Sequence, residues 1–156
     1  MLLTILGSVA SLWIPIEIPE PPVATRFTDR NGVVLADRPV PERARGQWLD
    51  AFPERVTSAM INAEDHRFRD HRGIDPVGIA RAMRINLESG TIRQGGSTIT
   101  QQLVRNIWDR PSGLVGKAWE AWMAVRLENS HSKDDILTEY LNRVYFGNHA
   151  YGIDAA

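Results

Sequence analysis

The sequence predicts a mainly helical domain that carries a short N-terminal β-hairpin and follows an N-terminal membrane-anchor helix. Three observations lead to this fold class. The first 16 residues are largely apolar and contain no ionisable side chain. The dipeptide Asn31-Gly32 separates two short apolar-bearing runs, which is typical of a tight hairpin turn. Beyond residue 50, helix start and stop signals recur together with apolar residues at helical spacing.

Residues 1–16 are interpreted as a membrane anchor, although a full span needs about 20 apolar residues. A cleaved signal peptide and a buried helix are the alternatives. The signal peptide is less favoured because no small-residue cleavage motif precedes the proline-rich stretch that follows. If residues 1–16 form the anchor, Trp13 would lie at the membrane interface. Residues 17–25 are interpreted as a linker, and residues 26–156 as one domain.

Two helices are predicted in the first half of this domain. Apolar residues recur at helical spacing after Pro53, so the first helix should end near Glu64, beside a loop. Asp75 and Pro76 supply an N-cap and a first-turn proline for the second helix, and Gly90 is its C-terminal stop. The apolar stripe of this second helix is formed by Ile79, Met83 and Leu87.

Three further helices are predicted in the second half. Thr98 to Gln101 fits a capping box and begins the third helix, and the fourth should run from about Leu114 to Glu128. Ser132 to Asp135 caps the fifth helix. The apolar side of that helix consists of Ile136, Leu137, Tyr140, Leu141 and Val144.

Charge and cysteine content restrict the function classes. The net charge of −1 argues against a nucleic-acid binder. Residues 66–126 nevertheless hold ten Lys or Arg against five Asp or Glu, whereas the rest of the chain holds eight against fourteen. This basic stretch forms either solvated helix faces or a groove for an anion such as a diphosphate. The absence of cysteine excludes disulfides, thiolate nucleophiles and Cys-based zinc sites.

The first cluster with chemical potential spans residues 64–75. A carboxylate at a helix end beside a glycine-bearing loop can be open to substrate and partly desolvated, which suits Glu64 as a general base. The alternative is that Glu64 and Asp65 form surface ion pairs with neighbouring arginines. His66 and His71 match no standard zinc spacing, so no metal site is predicted. His71 is instead expected to form a local hydrogen bond and position the loop.

The second cluster spans residues 94–105 and begins with a double glycine. Glycines at a helix N-terminus bring free N–H groups close to an anionic ligand. The alternative is a flexible loop with an ordinary capping box, which leaves Ser97, Gln102 and Arg105 without a role. A third cluster places Lys117 and Glu120 on one helix face, where the pair alone is typical of a solvated ion pair.

Taken together and in this order, the clusters resemble the peptidoglycan glycosyltransferases of penicillin-binding proteins and monofunctional transglycosylases. The resemblance covers residues 26–156 and depends most on Glu64-Asp-x-x-Phe-x-x-His-x-Gly-x-Asp75 and Gly96-Ser-Thr-Ile-Thr-Gln-Gln102. Shorter matches are Lys117-x-x-Glu120, Lys133-x-x-Ile-Leu-x-x-Tyr-Leu-Asn142, and Tyr145-x-Gly147 with Gly152-Ile153. The resemblance implies a lysozyme-like helical fold and predicts that the domain is truncated at its C-terminus.

The resemblance also implies an inverting glycosyltransferase that polymerises lipid II into β-1,4 glycan strands and releases undecaprenyl diphosphate. Glu64 would be its general base, and Glu120 its second catalytic glutamate, acting at the donor diphosphate. The implied substrate-binding residues are Asp65, Ser97, Thr98, Gln101, Gln102, Arg105, Arg110 and Lys117. The resemblance implies that no cofactor is required. A divalent cation (Mg or Mn) bound at the donor diphosphate is the one candidate ion.

The implied partners are lipid II, the growing glycan chain, the membrane and other cell-wall synthesis proteins, with no nucleic acid. The implied location is the bacterial inner membrane, with a single span and the domain on the periplasmic side. Arg105 stands where many members of the family carry Lys. Gly116 stands where the family carries Arg, which predicts one phosphate-binding cation fewer.

Two other functions fit parts of the sequence. A lysozyme-like lytic enzyme would also use a glutamate at a helix end, but it gives no use for the basic stretch or the anchor. A catalytically weak, membrane-anchored scaffold for cell-wall proteins would fit Gly116 and the predicted truncation. The order of the motifs favours the glycosyltransferase over both.

Overall fold

The structure, a computed structural model, describes residues 14–20, 25–38, 44–45, 48–92, 94–148 and 150–156. Most of the predicted anchor at residues 1–16 and part of the linker at residues 17–25 lie outside the described residues. Among the helices in the described ranges, none combines the length and the apolar character needed to cross a bilayer. The predicted domain bounds remain predictions.

The hairpin is confirmed. Strands β1 (Thr25–Thr28) and β2 (Val34–Arg38) pair antiparallel, with a register shift between Phe27 and Thr28. Asp29 Oδ1 accepts hydrogen bonds from the backbone N–H groups of Asn31 and Val33, both at 2.8 Å. Gly32 adopts φ +82°, the left-handed conformation that a tight turn requires. The local turn chemistry therefore accounts for the tight reversal between β1 and β2.

The predicted helices are confirmed within a few residues at their ends. They are α1 (Glu54–Glu64), α2 (Pro76–Ser89), α3 (Ile99–Ile107), α4 (Gly113–Ser130) and α5 (Lys133–Arg143). Thr98 and Ser132 each close a full capping box, with Gln101 and Asp135 as the reciprocal partners. A 3-10 turn follows at Ile153–Ala155.

The core lies between α3, α4 and α5. Its buried apolar side chains are Phe68, Ile99, Leu103, Val104, Met123, Ala124, Leu127, Ile136, Leu137, Tyr140 and Leu141. Helix α1 contributes Met60 and Ile61, which are partly buried against this cluster. One side of helix α3 thus packs in the core. Its opposite face and the loop before it remain available to form the site.

Two parts of the fold differ from the sequence-based expectation. A small sheet joins β3 (Ala44–Arg45), β4 (Tyr145–Gly147) and β5 (Ala150–Tyr151), with β5 in the middle. The predicted apolar stripe of α2 also does not face the core, since Met83 is 60% exposed and Leu87 79% exposed. The side chain that α2 buries is Ala82, which is too small to have been a strong signal.

Candidate active site

Glu64 is the last residue of α1, as the sequence predicted, and its side chain contacts α3. Gln102 Nε2 donates a hydrogen bond to Glu64 Oε2 at 2.9 Å. The expected partial desolvation is not found, because Glu64 is exposed. The neighbouring arginines pair elsewhere: Arg67 Nε lies 3.5 Å from Asp75 Oδ1, and Arg69 bonds Asp134 at 2.8 Å. The surface ion-pair interpretation of Glu64 therefore does not describe these contacts.

Asp65 and His71 form a buried pair beneath Glu64. His71 Nε2 lies 2.9 Å from Asp65 Oδ2, and that oxygen also accepts the backbone N–H of Ile99 at 3.1 Å. Asp65 thereby joins the end of α1 to the start of α3. This confirms that His71 forms a local hydrogen bond within the loop. It also gives Asp65 a positioning contact, whereas its predicted role in binding substrate stays a prediction.

The loop 66–75 depends on one glycine. Gly73 has φ +84°, and a Cβ there would lie 2.6 Å from the backbone carbon of Ala124. Only glycine allows this approach of the loop to α4. The Gly73 carbonyl accepts the Thr98 hydroxyl at 2.7 Å, so the close approach also fixes the start of α3.

A small cavity of about 40 Å³ lies between the end of α1, the start of α2 and the loop before α3. Its lining includes Glu64, Asp65, Arg81, Gly96 and Ser97. The predicted catalytic glutamate and the double-glycine loop therefore face the same opening. This opening is the centre of the candidate active site.

Thr98 and Gln101, both predicted to bind substrate, have buried side chains. Gln101 Oε1 accepts the Thr98 backbone N–H at 3.0 Å, and the Thr98 hydroxyl oxygen accepts the Gln101 N–H at 3.1 Å. Their relative exposures are 2% and 6%. The capping box thus uses the Thr98 hydroxyl oxygen and Gln101 Oε1, and the contact of both side chains with substrate remains a prediction.

Glu120 lies on α4 with two cations beside it. Its side chain is fully buried, Lys117 Nζ donates to Oε1 at 2.8 Å, and Arg110 Nε lies 3.5 Å from Oε2. Lys117 also donates to the Ser97 hydroxyl at 3.1 Å. A solvated helix-face pair does not describe a carboxylate with no exposed surface. Lys117 and Arg110 thus form a pair of cations around one buried carboxylate, and Lys117 joins them to the cavity through Ser97.

Gly116 allows Arg110 to reach this cluster. A Cβ at Gly116 would overlap the carbonyl oxygen of Pro111 and lie 2.9 Å from Arg110 Nη1. The segment before α4 therefore packs on the bare face of residue 116. Position 116 supplies no cation, and this segment carries the Arg110 guanidinium that lies beside Glu120.

Arg105 lies on α3, one turn after Gln102, and its side chain is exposed. No salt bridge involves Arg105 among the residues that the structure describes. Across the described ranges, no three His, Asp or Glu side chains are grouped as metal ligands. Arg110 and Lys117 thus lie beside Glu120, whereas Arg105 lies in the last turn of α3, near Tyr140.

Sequence reasoning missed the contribution of Tyr140 to this site. Tyr140 was assigned to the apolar side of the fifth helix, where its ring does lie. Its hydroxyl, however, donates to Gln102 Oε1 at 3.0 Å. The sequence offers only a general indication of this contact, since a buried tyrosine hydroxyl usually has a hydrogen-bond partner. That rule does not identify Gln102 as the partner.

Comparisons with known proteins agree with the resemblance. The model of the transglycosylase family matches residues 31–156. The chain is 42% identical to penicillin-binding protein 1A/1B of Bacillus subtilis over 136 residues, which are 86% of this chain and 15% of that protein. It is 49% identical to penicillin-binding protein 1A of Escherichia coli over 109 residues, 69% of this chain and 13% of that protein. It is 41% identical to penicillin-binding protein 1A of Aquifex aeolicus over 137 residues, which are 87% of this chain and 19% of that protein. The chain therefore spans less than a fifth of the length of these relatives.

Proposed function

Because the chain belongs to the transglycosylase family, we propose that it is a peptidoglycan glycosyltransferase acting on lipid II. Its substrates are lipid II and the growing glycan chain, of which one supplies the sugar 4-hydroxyl and the other the anomeric carbon that carries the lipid diphosphate. The products are a β-1,4 glycan strand and undecaprenyl diphosphate. The proposed domain is lysozyme-like.

On the acceptor side, Glu64 is the proposed general base that removes the proton of the sugar 4-hydroxyl. Its exposure supports this role, because an incoming hydroxyl must come within hydrogen-bonding distance of the carboxylate. The hydrogen bond from Gln102 supports it as well, since it restricts the orientation of the carboxylate. The deprotonated oxygen then attacks the anomeric carbon of the donor.

On the donor side, the bond between the anomeric carbon and the diphosphate breaks, and negative charge develops on the leaving oxygen. Arg105, Arg110 and Lys117 are the proposed groups that stabilise this charge. Glu120 orients the last two through its ion pairs. With base and leaving group on opposite faces of the sugar, attack inverts the anomeric centre, as in enzymes whose two catalytic groups are well separated.

One observation carries this proposal. Ser97 lines the cavity with Glu64, and its hydroxyl accepts Lys117 Nζ, which also bonds the buried Glu120. A candidate base and a candidate leaving-group cluster are thus joined across one short loop. This is the arrangement that displacement of a diphosphate by a sugar hydroxyl requires.

The residues around Glu120 do not fit a resident divalent cation. Glu120 Oε2 is buried without a hydrogen bond, but its carboxylate stands between Lys117 and Arg110. Magnesium usually takes octahedral oxygen coordination, and here one carboxylate is flanked by two positive charges. We therefore derive no step through a metal, and a divalent ion would depend on the diphosphate oxygens for its ligands.

The lipid-linked donor also requires contact with a membrane. The proposal accordingly includes the bacterial inner membrane as location, a single span at residues 1–16, and the domain on the periplasmic side. Other cell-wall synthesis proteins are proposed partners.

The test is polymerisation by the purified chain in lipid vesicles that contain labelled lipid II. We expect polymer on a gel and release of lipid diphosphate. Glu64→Gln should lower the rate by about 100-fold or more, the usual range for loss of a general base. The matched control is Glu88→Gln, on the exposed face of α2 in an i,i+4 pair with Arg84, which should polymerise as the wild type does.

Three results would contradict the proposal. Wild-type polymerisation by Glu64→Gln would exclude Glu64 as the base. Release of soluble fragments from finished peptidoglycan, without use of lipid II, would indicate the lytic enzyme. A chain that neither polymerises nor binds a diphosphate-containing donor analogue by calorimetry would indicate the scaffold.

A further inference from the structure

Tyr140 connects the core of the domain to the candidate base through one amide. Its side chain is 1% exposed. The Tyr140 hydroxyl donates to Gln102 Oε1 at 3.0 Å, and Gln102 Nε2 donates to Glu64 Oε2 at 2.9 Å. The three side chains form a hydrogen-bonded series that runs from a buried hydroxyl to an exposed carboxylate.

We infer that Tyr140 is a positioning residue for the reaction, which orients the Gln102 amide so that its N–H, and not its oxygen, faces Glu64. This inference rests on the proposed function and deepens it. Tyr140 touches neither substrate nor reacting atoms in this scheme. It acts on Glu64 through Gln102.

The orientation of Gln102 needs such a group because a glutamine amide has nearly the same shape after a 180° turn. Packing alone therefore cannot decide which end faces Glu64. An ionised Glu64 only accepts and therefore favours the NH₂ end, and the Tyr140 hydroxyl supports the same orientation by donating to Oε1. The core thus reinforces the orientation of the amide at the surface.

The Tyr140 hydroxyl is suited to this role because it keeps its proton. Burial, and after it the nearby charge of Glu64, raises the pKa of Tyr140 well above its ordinary value, with Arg105 opposing this in smaller measure. Tyr140 therefore remains a donor at every pH at which the enzyme would work.

The consequence for Glu64 has a definite sign. An N–H donor stabilises the charged form of a carboxylate, whereas an amide oxygen favours the protonated form. Without the Tyr140 hydroxyl the Gln102 amide can turn its oxygen towards Glu64. The charged base then loses stabilisation, so the acidic limb of the pH–rate profile moves to higher pH.

Other charged or titratable groups lie around this series. They lie in the loop after α1, on α2 and on α3, and are Asp65, His66, Asp75, Arg81 and Arg105. His66 lies within 3.1 Å of Arg81, and His71 pairs with Asp65. Removing the Tyr140 hydroxyl changes none of these side chains, so a difference between variant and wild type isolates the effect of the series.

The experiment measures kcat and KM for polymerisation from about pH 3.5 to 9, a range that includes the ordinary titration of a carboxylate, in wild type, Tyr140→Phe, Gln102→Leu and the double variant. We expect Tyr140→Phe to move the acidic limb up by about 0.5 to 1 on the pH scale, the size of one ordinary net hydrogen bond. This lowers kcat about 3- to 10-fold on the acidic side, with little change at alkaline pH or in KM. Gln102→Leu should move the limb as far or further, and the double variant no further than Gln102→Leu.

The control is Tyr145→Phe, a half-exposed tyrosine on β4 whose ring packs on Tyr151, which should keep the wild-type profile. A uniform loss at every pH in Tyr140→Phe, or additive effects in the double variant, overturns the inference. If Tyr140→Phe does not fold, an unmoved acidic limb in Gln102→Leu overturns it. Absence of polymer from the wild type overturns the proposed function, and a wild-type profile in an active Tyr140→Phe overturns this inference alone.

Discussion

The two glutamates of the site occupy opposite environments. Glu64 is exposed at the end of α1 and accepts one amide hydrogen bond. Glu120 has no exposed surface and lies between Lys117 and Arg110. Both carboxylates belong to motifs of the same family, yet Glu64 faces solvent and Glu120 is buried between two cations.

The two environments indicate different roles for the two glutamates. An exposed carboxylate can gain and lose a proton and can approach a substrate, but it contributes little to folding. A buried carboxylate needs partners, because an unpaired charge in the interior is very costly. We therefore expect Glu64 to matter for the reaction alone, and Glu120 for both the reaction and the stability of the domain.

The largest expected effect is the loss of stability in Glu120→Gln. The variant loses the charge-assisted hydrogen bond from Lys117 and the ion pair with Arg110, which should cost about 2–3 kcal/mol, because both remaining cations are partly exposed. Urea denaturation followed by circular dichroism measures this loss. Glu64→Gln, measured in the same way, should unfold at the same urea concentration as wild type. Equal stability of the two variants would break the comparison.

A smaller effect is expected from Gly116→Ala, which acts on the Glu120 side only. The new Cβ would overlap the Pro111 carbonyl oxygen, so the segment carrying Arg110 must shift. Overpacking of this kind costs about 1–3 kcal/mol. The control is Gly95→Ala, where a Cβ would meet nothing within 4 Å. If Gly116→Ala unfolds at the same urea concentration as Gly95→Ala, the packing of Arg110 over Gly116 is wrong.

Much of the fold was predictable from local chemistry. Asp75 with Pro76, Thr98 with Gln101, and Ser132 with Asp135 each satisfy free N–H groups at a helix start, so a few neighbouring residues fix each boundary. The small sheet was not predictable in this way. Its strand β3 has two residues and pairs with β5, about one hundred residues later in the chain.

The motifs named the residues that line or adjoin the cavity, but not their environments. Glu64, Ser97 and Lys117 come from three separate motifs, and α2 and α3 lie between them in the chain. The burial of Glu120 and the approach of Arg110 depend on how α3, α4 and the preceding segment pack. No spacing rule contains that information, and the same holds for the bond from Tyr140 to Gln102.

The smallest expected effect concerns Ser97, whose hydroxyl links the two glutamate environments. Ser97→Ala removes an acceptor for Lys117 but leaves the bond from Lys117 to Glu120 in place. Because the lost hydrogen bond is exposed, we expect kcat/KM for polymerisation to fall about 2- to 5-fold, with unchanged stability. Ser58→Ala, on the exposed face of α1, is the control and should match wild type. A loss as large as that of Glu64→Gln would mean that Ser97 contacts the reacting atoms themselves. Ser97 would then belong to the reacting group with Glu64 and would not merely link the two glutamate environments.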